Sequence, residues 1–332
     1  MIEIRRPGLL TTVQDLGRTG YAHLGVSRSG ALDVAALVRA NRLVGNPDGA
    51  AGLETTLTGV SLRAEHPTTV AVTGAVAPVT VDGEPQPFGS AIAVPAGAVL
   101  EVGKAVHGVR SYLAFAGGVT VAPVLGSRST DTLSGLGPPL LRAGYVLPIG
   151  RVTESPAPAL PAAAFVDSAL ADPALASTAA PDAPVAGTAL PGTGFAGTAL
   201  PAVALPGAGA VPVVPGPGEL TLRIRWGPRY DWLTIAARDA LTASPYTLSV
   251  KSNRVGARLS GPELTRAVTT ELPSEGIVLG AVQLPADGQP LIFLADHPTT
   301  GGYPVIGVID PADLGLVAQA RPGTVMRFSP WT

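Results

Sequence analysis

Cysteine is absent from the 332 residues, which removes disulfides, thiolate nucleophiles and thiolate-ligated metals together. Lysine is nearly absent. Lys104 and Lys251 are the two in the chain, so few amines are left for Schiff-base or phosphate chemistry. His23, His66, His107 and His297 are scattered, without i,i+4 pairing or a carboxylate cluster beside them, and no metal site is expected. Charged residues make up 14% of the chain and nearly balance, at a net −2. That excludes the phosphate-neutralising surface of a nucleic-acid binder. The opening Met-Ile-Glu-Ile-Arg-Arg-Pro lacks the apolar core of a signal peptide. Outside one low-complexity segment, no run of ~18 residues is free of charge, Pro and Gly. No membrane association is expected, and the expected compartment is the cytoplasm.

Several catalytic signatures are missing too. Neither lysine stands near paired serines, so an amidase-type Ser-Ser-Lys arrangement has no candidates. The nearest approach to a G-x-S-x-G elbow, Gly25-Val26-Ser27-Arg28-Ser29-Gly30, has the wrong glycine spacing. Between Gly97 and Gly103-Lys104-Ala105 lie five residues, and Ala105 stands where a P-loop carries its metal-binding hydroxyl. That stretch reads as a strand. A Met-Lys-Met biotin acceptor is also lacking, so any biotin must arrive on another chain or domain.

Pattern divides the chain into three parts. Residues 152–222 contain no Lys or Arg, and 183–218 no charge of either sign. Within this stretch AGTALPGTGF (186–195) is followed by AGTALPAVAL (196–205), a degenerate ten-residue repeat. Side chains this small cannot offset ordering entropy by burial, so 152–218 is predicted to be a disordered linker. The flanking parts, 1–151 and 219–332, alternate apolar and polar residues between short-spaced turns, as in barrels or sandwiches. Asp82-Gly83 and Asp287-Gly288 are predicted hairpin turns. Helices are few. One is predicted over 31–44 with Ser29 as a possible cap, one over 231–241, and one that begins with Asp310 as N-cap and Pro311 at its first position.

Four strings carry a resemblance: GLLTTVQDLGRTGYAHLGVSRSGALD (8–33), SYLAFAGGVTVAPVLGSRST (111–130), SNRVGARLSGPEL (252–264) and LPSEGIVLGAVQLPADGQPLIFLADHPTTGGYPVIG (272–307). In this order they resemble the biotin-dependent carboxyltransferase-like family, which includes the C-type subunit of ATP-dependent 5-oxoprolinase and the second subunit of allophanate hydrolase. The likeness runs from residue 2 to about residue 328, save the low-complexity segment. It implies a mainly β fold of cyclophilin-like barrel units with a few short helices, the two flanking parts together making one carboxyltransferase-like domain. It also implies a first-subunit partner, like the B-type member of 5-oxoprolinase, a lactam-utilisation partner, like its A-type member, and an amide or lactam substrate. ATP, with Mg²⁺ and shared with a partner, is the implied cofactor. Biotin would be supplied in trans if the reaction is carboxyl transfer.

Residue chemistry supplies the candidates within those strings. The turn Thr299, Thr300, Gly301, Gly302, Tyr303 offers backbone N–H groups and hydroxyls to an anion, with Asp296 just before it as a proton or cation holder. Asn253 and Arg254, with Arg258, form a potential guanidinium fork for carboxylate or phosphate; a surface ion pair with Glu263 or Glu275 is the alternative. Glu275 reads as a base or as an arginine's partner. Asp296, Glu275 and Arg258 are therefore the catalytic candidates. In the first part Arg18, Tyr21 and Ser29 crowd the approach to the first helix with Asp33, and Arg128 completes the binding candidates. His297 and Pro298 depart from the residues the resemblance leads one to expect there. Three functions stay open: ATP-dependent lactam opening, biotin-dependent carboxyl transfer, and a non-enzymatic regulator of a kinase inhibitor.

Overall fold

The computed structural model describes residues 1–151 and 218–331. The expected linker, 152–218, lies outside the described residues except for Gly218.

Strands dominate both parts. In the first, two sheets enclose a core of apolar side chains that includes Ile4, Val13, Leu53, Leu62, Val70, Leu100 and Phe115. One sheet runs in the order Val146–Leu147, Ile2–Arg6, Ser61–Ala64, Val99–Val102, Val79–Val81, Glu84–Gln86. The other runs Thr11–Gln14, Gly52–Thr56, His107–Phe115, Thr68–Val76, Ala91–Val94. Asp82 and Gly83 both take positive φ, 50° and 86°, as a two-residue hairpin turn with matched twist requires.

The second part closes into a seven-stranded barrel: Glu219–Trp226, Val305–Ile309, Ala281–Gln283, Leu291–Phe293, Gly256–Ser260, Tyr246–Leu248, Val325–Pro330. Closure comes from parallel pairing of its first and last strands, from Glu219↔Val325 to Ile224↔Pro330. Strand Glu219–Trp226 shows why the pattern is readable. Leu220, Leu222 and Ile224 are buried and the residues between them exposed, which is the alternation of a half-buried strand. A separate two-stranded ribbon pairs Glu275–Gly276 with Thr300–Gly301.

Three α-helices accompany the strands among the described residues. The first, Val34–Leu43, is shorter than predicted and is capped by Asp33, whose carboxylate accepts from the Ala36 N–H at 3.0 Å. Ser29 is not the cap, because its φ of 53° turns the chain away before the helix begins. The second, Ile235–Ala243, is capped by Thr234 and preceded by a 3₁₀ turn, Tyr230–Trp232. Asp310 caps as expected, accepting from Ala312 N–H at 2.9 Å, and the 3₁₀ turn Pro311–Asp313 leads into helix Leu314–Gln319.

That last helix ties the barrel to the sheets. Gln319 Oε1 accepts from the N–H groups of Val109 and Arg110 at 3.0 Å each, and its Nε2 donates to Asp33 at 2.8 Å. Arg321 donates to the carbonyls of Ala105 and Gly108, at 2.6 and 2.9 Å. The two parts therefore meet along a polar seam.

Candidate functional site

The seam centres on Arg254, which has 2% of its side chain exposed. It sits in the tight turn leading into strand Gly256–Ser260, where Asn253 Oδ1 accepts from Val255 N–H at 2.8 Å. From there the guanidinium reaches across to the sheets. Nη1 donates to Glu54 at 2.5 Å and Nη2 to the Gly30 carbonyl at 2.7 Å, while Nε and Nη2 hold Asp296 at 2.9 and 3.0 Å. Burial pulls the Arg254 pKa down, but Glu54 and Asp296 outweigh it and hold the group charged. Burial likewise pushes Glu54 up, and Arg254 and Arg110 bring it below its ordinary value. Glu54 also accepts from Tyr112 Oη at 2.7 Å and Leu32 N–H at 3.1 Å.

Asp296 has no exposure. Besides the two Arg254 nitrogens it faces Ser29 Oγ at 2.8 Å, Thr132 N–H at 3.0 Å and Thr132 Oγ1 at 2.6 Å. Those five donors fill the roughly four lone-pair directions an ionised carboxylate offers. In this arrangement Asp296 has no oxygen free for a substrate proton, which departs from the role the sequence suggests for it. Ser29 is held in a left-handed backbone conformation, which costs on the order of 1–3 kcal/mol in a non-glycine residue. Its fixed contacts explain why that conformation persists: the side chain meets Asp296, and its N–H donates to the Ala295 carbonyl at 3.0 Å.

Beside Asp296, the His297 ring places Nδ1 2.8 Å from the Pro298 carbonyl, so Nδ1 carries the proton, and burial depresses its pKa. Asp131 anchors the neighbouring turn. It accepts from Ser27 Oγ at 2.5 Å, Ser134 Oγ at 2.6 Å and Leu133 N–H at 2.9 Å. Burial raises its pKa, but these bonds lower it further and keep it ionised.

The remaining candidates fall elsewhere. Arg258 is exposed on the barrel wall while Arg254 is buried, so the two do not form a fork: four residues along this strand and its turn separate inside from outside. Glu275 does not meet Arg258; from the ribbon it pairs with Arg229, which precedes the 3₁₀ turn Tyr230–Trp232. Thr300, Gly302 and Tyr303 are exposed and Thr299 and Gly301 partly so. Neither glycine has positive φ, so the turn lacks the alternating backbone of an anion nest. Glycine is needed at 301 for closeness instead, since a Cβ there would lie 2.6 Å from Ile277 Cδ1 and 3.0 Å from Gln283 Nε2.

On the sheet side, Arg18 is buried; its Nη2 donates to the Ser129 carbonyl, and Nη1 has no hydrogen-bond partner among the described residues. Arg128 donates to the Val121 carbonyl at 2.8 Å, and its N–H meets Asp15 at 2.6 Å. Tyr21 caps the short 3₁₀ turn Ala22–Leu24 through its backbone. Of the predicted site residues the structure thus gathers Ser29, Arg254 and Asp296. It adds Glu54, Asp131 and Thr132. A glutamate between Leu53 and Thr55 in an otherwise apolar and hydroxylic strand is the available signal for Glu54; nothing local marks Thr132. A depression of about 430 Å³ lined by Arg6, Leu9, Thr58 and Lys104 shares no residue with the seam.

Comparison with known proteins bears on this geometry. The model of the family described as carboxyltransferase domain, subdomain A and B, matches residues 24–330. The C-type subunit of 5-oxoprolinase from Escherichia coli (strain K12) is 36% identical over 331 residues, covering 99% of this chain and 90% of that protein. Urea amidolyase from Lachancea kluyveri is 31% identical over 342 residues, but this chain spans only 17% of it. Among solved structures, the crystal structure of TTHA0988 shares 34% identity at a TM-score of 0.75, covering 99% of this chain and 55% of that one. Urea amidolyase of K. lactis gives a TM-score of 0.79 at 28% identity, over 100% of this chain and 19% of that chain. The chain therefore spans about half of TTHA0988 and under a fifth of the urea amidolyases. With nearly its whole length matched, seam included, the chain belongs to the family of carboxyltransferase domains, subdomain A and B.

Proposed function

We propose that this chain is the C-type member of an ATP-dependent complex that opens a cyclic amide, with 5-oxoproline as substrate and glutamate as product. The observation that carries this reading is mutual coverage: 99% of this chain matches 90% of a C-type member of 5-oxoprolinase. The urea amidolyases match it as a small fraction of a much longer protein. That the bacterial relative is named as one subunit among others supports partners. In this reading they are a B-type first member of the pair and an A-type lactam-utilisation protein.

Among the described residues no group of three or more acidic or histidine side chains gathers to hold Mg²⁺, and residues 99–102 form a sheet strand rather than a phosphate loop. In this reading ATP, with Mg²⁺, is shared with a partner. This chain contributes positioning and charge. Asp296 orients Arg254 and Thr132, Glu275 stays ionised beside Arg229, and exposed Arg258 with the 299–303 hydroxyls faces outward toward substrate or partner.

Carboxyl transfer from biotin on another chain is the second reading, favoured by the TM-score of 0.79 to a urea amidolyase. The test is product analysis on the chain alone and with its partners, following ATP consumption with 5-oxoproline and carboxybiotin decay with urea. The expected result is silence from the chain alone and ATP-coupled glutamate formation from the complex. Urea-dependent carboxybiotin decay, or full turnover by the isolated chain, would overturn the reading.

A further inference from the structure

The depression of about 430 Å³ opens where strands Ile2–Arg6, Ser61–Ala64 and Val99–Val102 run out into the chain around Gly8, Gly59 and Gly103. Backbones meet there without side chains between them. A Cβ at Gly8 would lie 2.1 Å from the Thr58 carbonyl oxygen, and one at Gly59 2.1 Å from that of Val102. The segments close main chain to main chain, which leaves the hollow above them unfilled. Its walls are fixed. Gly59 N–H donates to the Gly103 carbonyl at 3.2 Å and Ala105 N–H to that of Leu57 at 2.8 Å, so Thr58 and Lys104 between them form the non-hydrogen-bonded pair of an antiparallel bridge. Side chains of such a pair stand on one face at the closest cross-strand approach. From beyond the last helix, Arg321 holds the Ala105 carbonyl at 2.6 Å.

Donor groups line this hollow, and none of the described residues lining it is acidic. Lys104 is exposed, and its ammonium has no ion pair among the described residues. Arg6 follows a bulge in its strand's pairing with Ser61–Ala64, a feature that re-aims a side chain. Its contact with Glu101, at 3.3 Å, lies in open solvent and has little weight. Thr58 Oγ1 accepts from Leu9 N–H at 2.7 Å, and its own hydrogen remains to be donated. The other side of the hollow is apolar. Leu9 is 66% exposed, with Val102 buried beneath, so a ligand's hydrocarbon would cover leucine surface that now faces water. The volume is that of a small-molecule site, which runs from roughly 300 to 1,000 Å³.

We propose that this hollow binds a small organic monoanion, a carboxylic acid with a compact aliphatic body. Lys104, Arg6 and the Thr58 hydroxyl hold the carboxylate, and the aliphatic part lies against Leu9. The site is separate from the seam and stands whichever reaction the complex performs.

The experiment follows the amide NMR shifts of Leu9, Gly59 and Lys104 in the full chain as 4-methylpentanoate, its neutral analogue 4-methylpentanamide or inorganic phosphate is added. The acid should move these signals saturably, and the neutral amide and phosphate should bind several-fold more weakly. An exposed charge pair is worth a factor of about two to five, so Lys104→Gln should weaken the acid by that factor and leave the neutral amide unchanged. Leu9→Ala should weaken the acid but not phosphate. Unchanged signals elsewhere check that each variant folds. Should one fail to fold, ionic strength serves on the wild-type chain, where added salt should weaken the acid and not the neutral amide. The proposal is overturned by the absence of saturable shifts, by equal affinity for acid and neutral amide, by equal acid affinity in Lys104→Gln, or by acid binding indifferent to salt. Phosphate binding as tightly as the acid would overturn it as well, because the apolar wall would then contribute nothing.

Discussion

Asp296 and Gly301 stand five residues apart in one motif and in opposite surroundings. Asp296 is enclosed at the seam, holding and held by groups from both halves of the molecule. The turn that follows leaves the seam at once: Thr300 and Gly301 pair with Glu275–Gly276 as a ribbon on the barrel's flank. Charges differ in the same sense. At the seam Arg254 and Glu54 are 2% and 1% exposed, whereas ribbon residue Glu275 and its partner Arg229 keep 31% and 35%. Coulomb attraction that water screens on the ribbon acts in a low-dielectric setting at the seam, where each charge also depends on its partner to offset desolvation. A single sequence motif thus contributes to two structures with different jobs: a lock between halves and an accessible edge.

Breaking the lock should produce the largest effect. Arg254→Ala leaves Glu54 and Asp296 buried with no facing guanidinium, and removing one partner of a buried pair costs about 3–5 kcal/mol. Denaturant unfolding is expected to show that loss, with the midpoint falling in proportion. A midpoint within error of wild type would mean that water reaches the seam and that the two sites do not differ as described. On the ribbon, Gly301→Ala should cost less, about 1–3 kcal/mol, because the added methyl collides with the Ile277 side chain and Gln283 can shift. The mechanism is packing, so the loss should be equal at pH 5 and pH 8. A pH-dependent loss would point to an electrostatic role for the turn instead.

Much of this architecture is legible in the sequence, and the reasons are physical. Period-two alternation locates strands such as Ala91–Val94 and Val99–Val102 because one face of each is buried. Asp310 can be read as a cap because its bond to Ala312 N–H is local. What fails to show is long-range. Glu54 and Arg254 are 200 residues apart, and Thr132 reaches Asp296 across 164; no spacing rule operates at such separations. Arg254 and Arg258 group together by proximity in sequence, yet the strand and its preceding turn send one inward and the other to the surface. Ser29 resembles a helix cap in sequence, and only its backbone twist, offset by contacts with the other half, shows that it is not one.

The smallest effect is expected from Glu275→Gln, and its smallness is what sharpens the comparison. Its partner Arg229 bonds it first and foremost through side-chain hydrogen bonds, which hold the Glu275 carboxyl below its ordinary pKa. An acid with a depressed folded-state pKa adds stability above its unfolded pKa, near 4.5, and loses it as pH falls through the folded value. Any stabilisation by the pair is therefore present at neutral pH and absent in strong acid. Because both side chains are part-exposed and Arg229 also lies 5.6 Å over the Trp232 ring, solvent screening and an alternative contact leave the pair little to contribute. The melting temperature of Glu275→Gln at pH 7 should match wild type within error, the two curves should stay together on acidification, and turnover of the reconstituted complex should remain within about twofold, the neutral amide keeping a hydrogen-bond acceptor for Arg229. A turnover loss beyond about tenfold with unchanged melting would instead make Glu275 a proton-handling group, since only the carboxylate's basicity, and not its shape, is removed.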